Sequence, residues 1–197
     1  MTRSLPEPTS RLLNHTELVY APGDRALARD LLRAIGCRVL DPQEETGPDD
    51  LGPAAGPYLI VWVEPESTDL IDNMLYASEV PPAQWAFEQA IAERIAADEE
   101  LRDARDGFDA SFRVYPQGMT HFGIALSEAQ LDGALEAVAA PQFQGRVQVL
   151  GVFRPGDPGS VDPRVIQAFL RTDIMSTGLL VAGQQIELQV RIDATAA

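Results

Sequence analysis

The sequence predicts an α+β fold in which a strand, a helix and three further strands occur twice, the two sets curling as a mixed sheet around a cleft. Three observations predict it. Segments of period two alternate with segments of helical period along all 197 residues. Asn14-His15-Thr16 can be laid over Thr120-His121-Phe122, which puts each of the chain's two histidines at the second position of a unit's first strand. In the last segment, Ile186, Leu188 and Val190 alternate with Gln185, Glu187 and Gln189, as a strand with one apolar and one polar face requires. The whole chain reads as one domain, with units at about 12–80 and 118–193 and an inserted helix at 81–107.

Residues 1–12 are polar and aperiodic, an arm before the first strand at 14–20. Pro22-Gly23-Asp24 supplies a turn and a helix cap, and Leu27, Leu31 and Ile35 follow at helical spacing until Gly36 stops the run. A short strand at 37–40 leads into 41–56, whose prolines, glycines and acids predict an exposed loop. The apolar run 58–63 and the segment 74–80 are strands, with 66–72 as the turn between them. From Pro81, Trp85, Phe87, Ile91 and Ile95 recur at helical spacing among acids, predicting one long helix that ends before Gly107. The second unit reads as a strand at 120–126, a helix opened by the capping box Ser127 to Gln130, and strands at 147–153, 165–171 and 186–192.

Composition narrows the function. Fifteen basic residues, all arginine, face thirty acids for a formal charge of −15, which argues against nucleic acid and against anionic membranes as partners. The absence of lysine excludes Schiff-base chemistry and a Walker-type phosphate lysine. One cysteine, Cys37, excludes an internal disulfide and a cysteine-built zinc site, and it follows a helix-ending glycine as a small hydrophobe would. No signal-like or membrane-length apolar run occurs, so the sequence predicts a cytoplasmic protein. Trp85 or Phe87, if exposed on the inserted helix, would point to a homodimer.

If the polar strand faces line a cleft, two imidazoles and one carboxylate converge there. Two histidines with one carboxylate suit a borderline divalent metal and leave positions open for substrate.

On these residues the chain resembles the vicinal oxygen chelate superfamily: glyoxalases, extradiol dioxygenases, fosfomycin-resistance transferases and bleomycin-resistance proteins. The resemblance runs over about 12–192 and rests on Leu13 to Leu18 leading to Gly36, Thr120 to Ile124, and Gln185 to Gln189. It implies that each βαβββ unit supplies half a cleft and that His15, His121 and Glu187 hold one Fe, Mn, Ni or Zn ion. It further implies a small substrate bound through vicinal oxygens and turned over by a lyase, isomerase or dioxygenase. The family's glyoxalases add a carboxylate from the last strand of the first unit, for which Glu79 is the nearest match and Glu64 the next. Tyr115 could do acid–base work in a dioxygenase, and Tyr76 and Arg171 could line the cleft. The other class implied is a binding protein that sequesters a small molecule without turnover. The stretch from Val80 to Gly118 is longer than the family's usual connection.

Overall fold

In the computed structural model, which describes residues 13–44, 57–67 and 73–192, the strands divide between two mixed sheets, accompanied by four α-helices. The chain runs β1 (His15–Tyr20), α1 (Arg25–Ala34), β2 (Arg38–Leu40), β3 (Leu59–Trp62) and β4 (Met74–Glu79). Then come α2 (Pro82–Ala97), α3 (Glu99–Val114), β5 (His121–Leu126), α4 (Glu128–Ala137), β6 (Val147–Phe153), β7 (Val165–Thr172), β8 (Met175–Ser176) and β9 (Gln184–Arg191). The first sheet has the order β2-β3-β4-β1-β8 and the second β5-β9-β7-β6. β1 lies parallel beside β4, and β5 lies parallel beside β9.

The single curved sheet of the sequence reading is thus replaced by two. Their link is β8, a two-residue strand that leaves the second half of the chain and pairs antiparallel with β1. Two residues carry too little pattern to be read from sequence. The amino-terminal arm 1–12, most of the loop 41–56 and most of the turn 66–72 lie outside the described residues.

One apolar cluster joins both sheets. Leu18, Tyr20, Leu75 and Ala77 from the first sheet, Ile124, Ile166, Leu170, Ile186 and Leu188 from the second, and the buried faces of α1 and α4 all belong to it. Period two then sends His15 and Glu17 out of the opposite face of the first sheet, and His121, Glu187 and Gln189 out of the opposite face of the second.

Two helix ends differ from their sequence reading. Asp24 begins α1 without a side-chain cap, because its carboxylate accepts from Arg146 Nη2 at 2.7 Å and so ties α1 to the second half of the chain. The inserted helix is a pair of helices. Asp98 breaks it with extended backbone, and its carboxylate accepts from the Leu101 N–H at 3.2 Å to start α3, which continues through Gly107 to Val114. An exposed glycine costs a helix only about 1 kcal/mol, less than a packed face recovers. Ser127 and Gln130 do form the expected capping box.

Cys37 is buried in the shared core, and burial pushes its thiol up to about 12. Since the thiolate is the nucleophile, the native protein should resist iodoacetamide at mildly alkaline pH and react fully once unfolded. Mass spectrometry of the labelled chain checks this, and rapid native labelling would contradict it.

Candidate functional site

The site is built on the polar face of β5 and β9. Glu187 lies across the ladder from Gly123, and His121 from Gln185. A Cβ on Gly123 would stand 3.4 Å from Glu187 Oε2. That is an ordinary van der Waals contact, and the carboxylate leans across β5 to meet His121 Nε2 at 3.1 Å. The other oxygen, Oε1, accepts from Gln167 Nε2 at 2.6 Å and from Gln189 Nε2 at 3.0 Å. Both amides hold Glu187 in place while its Oε2 faces the imidazole.

His121 is fixed from behind. Its Nδ1 lies 2.7 Å from the Met119 carbonyl, which can only accept, so Nδ1 carries a hydrogen and Nε2 is the atom turned to Glu187. The Nε2 to Oε2 contact then needs one proton between the two groups, or a cation in its place. The Phe169 ring stands edge-on to His121 with centroids 5.6 Å apart, and Phe153 packs on Phe169 at 5.9 Å. This aromatic floor keeps water from one side of the pair. Beyond it, Gln185 Nε2 donates to the Pro116 carbonyl at 2.8 Å, fastening the end of the α3 connection to the same face.

The first sheet carries the counterpart by register but different chemistry. His15 opens β1 as His121 opens β5, yet it is exposed, bonds through Nδ1 to Asn14 Oδ1, and has Nε2 3.8 Å from Glu17 Oε1. The residue paired with the position two after His15 is Tyr76, where β9 has Glu187. Tyr76 packs edge-on against His15, centroids 5.6 Å apart, and against Tyr58. Burial, with the neighbouring Tyr58 and Glu17 charges, raises its hydroxyl pKa. The carboxylate expected from this strand is therefore a tyrosine.

Glu79 stands three residues beyond Tyr76, an odd offset, and is paired with Tyr20, which belongs to the shared core. It leaves the sheet on the face opposite His15, which separates it from the role the resemblance implies. Glu64 follows β3 and accepts from the backbone N–H of Glu66 at 3.3 Å, as a turn residue does. Tyr115 caps α3, is largely exposed, and lays its ring over Gly118, where even a Cβ would collide with it. Of the site residues read from sequence, His121 and Glu187 are brought together. Among the described residues, no three His, Cys, Asp or Glu side chains stand where they could share one ion.

The partners that sequence reasoning missed are Gln167, Gln189 and the Met119 carbonyl. Gln189 was visible as part of the polar alternation, whereas Gln167 becomes a partner only through the β7 to β9 register. A scan of protein-family models, a search of curated proteins and a search of solved structures each return no significant match. No described helix is long and apolar enough to cross a membrane.

Proposed function

We propose that the chain is a small-molecule enzyme of the vicinal oxygen chelate type, two βαβββ units with a reactive centre at His121 and Glu187. The observation that carries this reading is the pinned imidazole. An imidazole that gives its Nδ1 hydrogen to a backbone carbonyl keeps the Nε2 lone pair for a ligand, the usual arrangement behind a metal-bound histidine. With bonds of about 2.0–2.1 Å, two ligand atoms on one ion stand about 2.9 Å apart at a right angle and about 3.4 Å apart at a tetrahedral angle. The 3.1 Å separation of Nε2 and Oε2 lies between these values, so the pair fits a divalent ion.

His121 and Glu187 would hold the ion; in this reading His15, which opens the other sheet and does not stand with them as one group of three, would have to move to become the third ligand. His15 is exposed, and its bonds to Asn14 and Glu17 can be exchanged with solvent. When bound, Fe, Mn, Ni or Zn supplies Lewis acidity toward vicinal oxygens, the chemistry of a glyoxalase-like lyase or isomerase, or of a dioxygenase. The chain's own residues do the positioning. Gln167 and Gln189 hold Glu187, Met119 fixes the tautomer of His121, and Phe169 and Phe153 keep water from the floor.

A second reading, a binding protein without turnover, is favoured by one observation: His121 Nε2 and Glu187 Oε2 already stand within hydrogen-bond distance of each other, at 3.1 Å. Elemental analysis and calorimetric titration with Mn, Ni and Zn separate the two. The enzyme reading expects one equivalent of metal, with affinity falling about 100-fold or more in His121→Ala and also falling in His15→Ala. No metal uptake by the wild type would leave the binding protein. Retention of full affinity in His15→Ala would remove that residue from the site.

The reading includes a cytoplasmic setting, consistent with a lone reduced Cys37, and a homodimer through α2. Phe87 is 56% exposed on that helix. Light scattering should give twice the 21.4 kDa chain mass, and a monomer at high concentration would exclude the dimer.

A further inference from the structure

We infer that the cleft beside Glu187, at the open end of β7 and β9, binds a polyhydroxylated small molecule whose hydroxyls donate to the side-chain carbonyls of Gln167 and Gln189. The inference rests on the proposed enzyme reading for its link to catalysis, while the binding itself follows from the cleft. The cleft has a volume of about 680 Å³, within the range of small-molecule pockets. Gln167 and Gln189 both line it, and they stand opposite each other in the β7 to β9 register, on the sheet face that carries Glu187.

The chemistry of Glu187 fixes which end of each amide the cleft sees. Both side chains donate through Nε2 to Glu187 Oε1, at 2.6 Å and 3.0 Å. The carboxylate oxygen accepts, so each nitrogen must face it and each carbonyl oxygen must turn away. Gln167 is only 6% exposed, yet its Oε1 accepts from no described residue, and the same holds for Gln189 Oε1. Neither oxygen is sealed in the interior, where the unpartnered buried atoms among the described residues are Arg171 Nη1 and Gln185 Oε1. A nearly buried amide whose free acceptor still reaches a cleft takes its donor from the contents of that cleft.

Two acceptors side by side call for two donors on neighbouring atoms. An ammonium group would bring donors but also a positive charge, and Arg164 and Arg191 both line the cleft. Asp162 offsets Arg164 alone, accepting from its Nη2 at 2.7 Å and its Nε at 3.0 Å. Hydroxyls donate without that repulsion. Val165, on the same face as Gln167, gives an apolar wall for the carbon chain that bears them. A site built to pair hydroxyls also rejects an analogue that lacks them, because its own acceptors are then left unpaired.

The test is heteronuclear NMR titration of the full chain, without added metal, reading the side-chain amide signals of Gln167 and Gln189. The probes are D-glucitol, D-gluconate and triethylene glycol dimethyl ether, which has oxygens but no O–H to donate. Saturable shifts of both amides are expected with the hydroxylated probes and none with the diether. Binding of glucitol assigns a neutral polyol, and binding of gluconate alone assigns a sugar acid. Gln189→Leu should weaken the binding about tenfold, as loss of one hydrogen bond does. Val165→Trp, which narrows the cleft without touching either amide, should weaken it similarly and serves if the leucine variant does not fold. The inference is overturned if neither hydroxylated probe binds saturably, if the diether binds as well as they do, or if the folded variant binds as the wild type does. Saturable binding by a chain that takes up no metal would keep this inference and sink the enzyme reading, whereas metal uptake without polyol binding would do the reverse.

Discussion

Replacing Glu88 by alanine should lower the stability of the fold by about 3 kcal/mol or more, although its bonds go to Gln84, Leu180 and Val181 and not to His121 or Glu187. Glu88 is on α2 and only 2% exposed. Its Oε1 accepts from the Leu180 N–H and its Oε2 from the Val181 N–H, each at 2.8 Å, and Gln84 Nε2 adds a third bond at 3.0 Å. The two backbone donors open a short 3₁₀ turn, Leu180–Ala182, between β8 and β9. Removing the carboxylate leaves both donors without an acceptor, at about 1–3 kcal/mol each. For a chain of this size the loss corresponds to a melting temperature lower by about 10 °C. Glu88→Gln should fall between the wild type and Glu88→Ala, because an amide keeps one acceptor but turns a donor toward the other N–H. Guanidinium unfolding of the three proteins checks this. A loss under about 1 kcal/mol in the alanine variant would mean that water replaces the carboxylate.

Glu88 also shows where sequence reading stops. In the sequence it is one acid among many on a helix, set with Glu93 and Asp98 between the apolar positions. Its burial depends on a turn more than ninety residues later, and nothing local announces that contact. The same holds for Asp41, placed by composition in an exposed loop and found buried against an arginine sixteen residues before it. Alternation and capping, which are local, did carry over. β1, α1, β4, β5, α4, β6, β7 and β9 lie within one or two residues of their expected bounds, and the Ser127 capping box formed. At the site, the pairing of His121 with Glu187 was legible because both lie on strands whose polar face the alternation reveals. The separation of Glu79 from His15 was legible in principle too, since Tyr76 and Glu79 differ by an odd number of residues. What required coordinates was which residue of β4 stands beside β1, a register that sequence alone does not number.

Asp41→Asn should cost about 3–5 kcal/mol, and the native Asp41 makes the fold sensitive to acid in a defined direction. The Asp41 carboxylate is 1% exposed and receives Arg25 Nη2 at 2.6 Å, Arg25 Nε at 3.0 Å and the Gln43 N–H at 3.1 Å. Arg25 continues to Tyr20 Oη at 2.9 Å and to the Pro57 carbonyl, so one ion pair ties the start of α1 to the end of β2 and the approach to β3. Burial alone would raise the Asp41 pKa, but the Arg25 hydrogen bonds, the Gln43 N–H and the Arg25 and Arg29 charges outweigh it and hold the carboxyl below its ordinary value. An acid whose folded pKa lies below its unfolded one binds protons more readily when unfolded. Its contribution is therefore complete above the ordinary carboxylate range, near pH 4, and is lost as pH falls through the depressed value. The asparagine variant keeps the shape but leaves Arg25 mostly buried without its counter-charge, so its deficit should be full at pH 7 and shrink in acid. Unfolding curves of both proteins at pH 7 and through the acid range measure that convergence. Parallel curves with a constant gap would show that Asp41 acts by packing and hydrogen bonding rather than by charge.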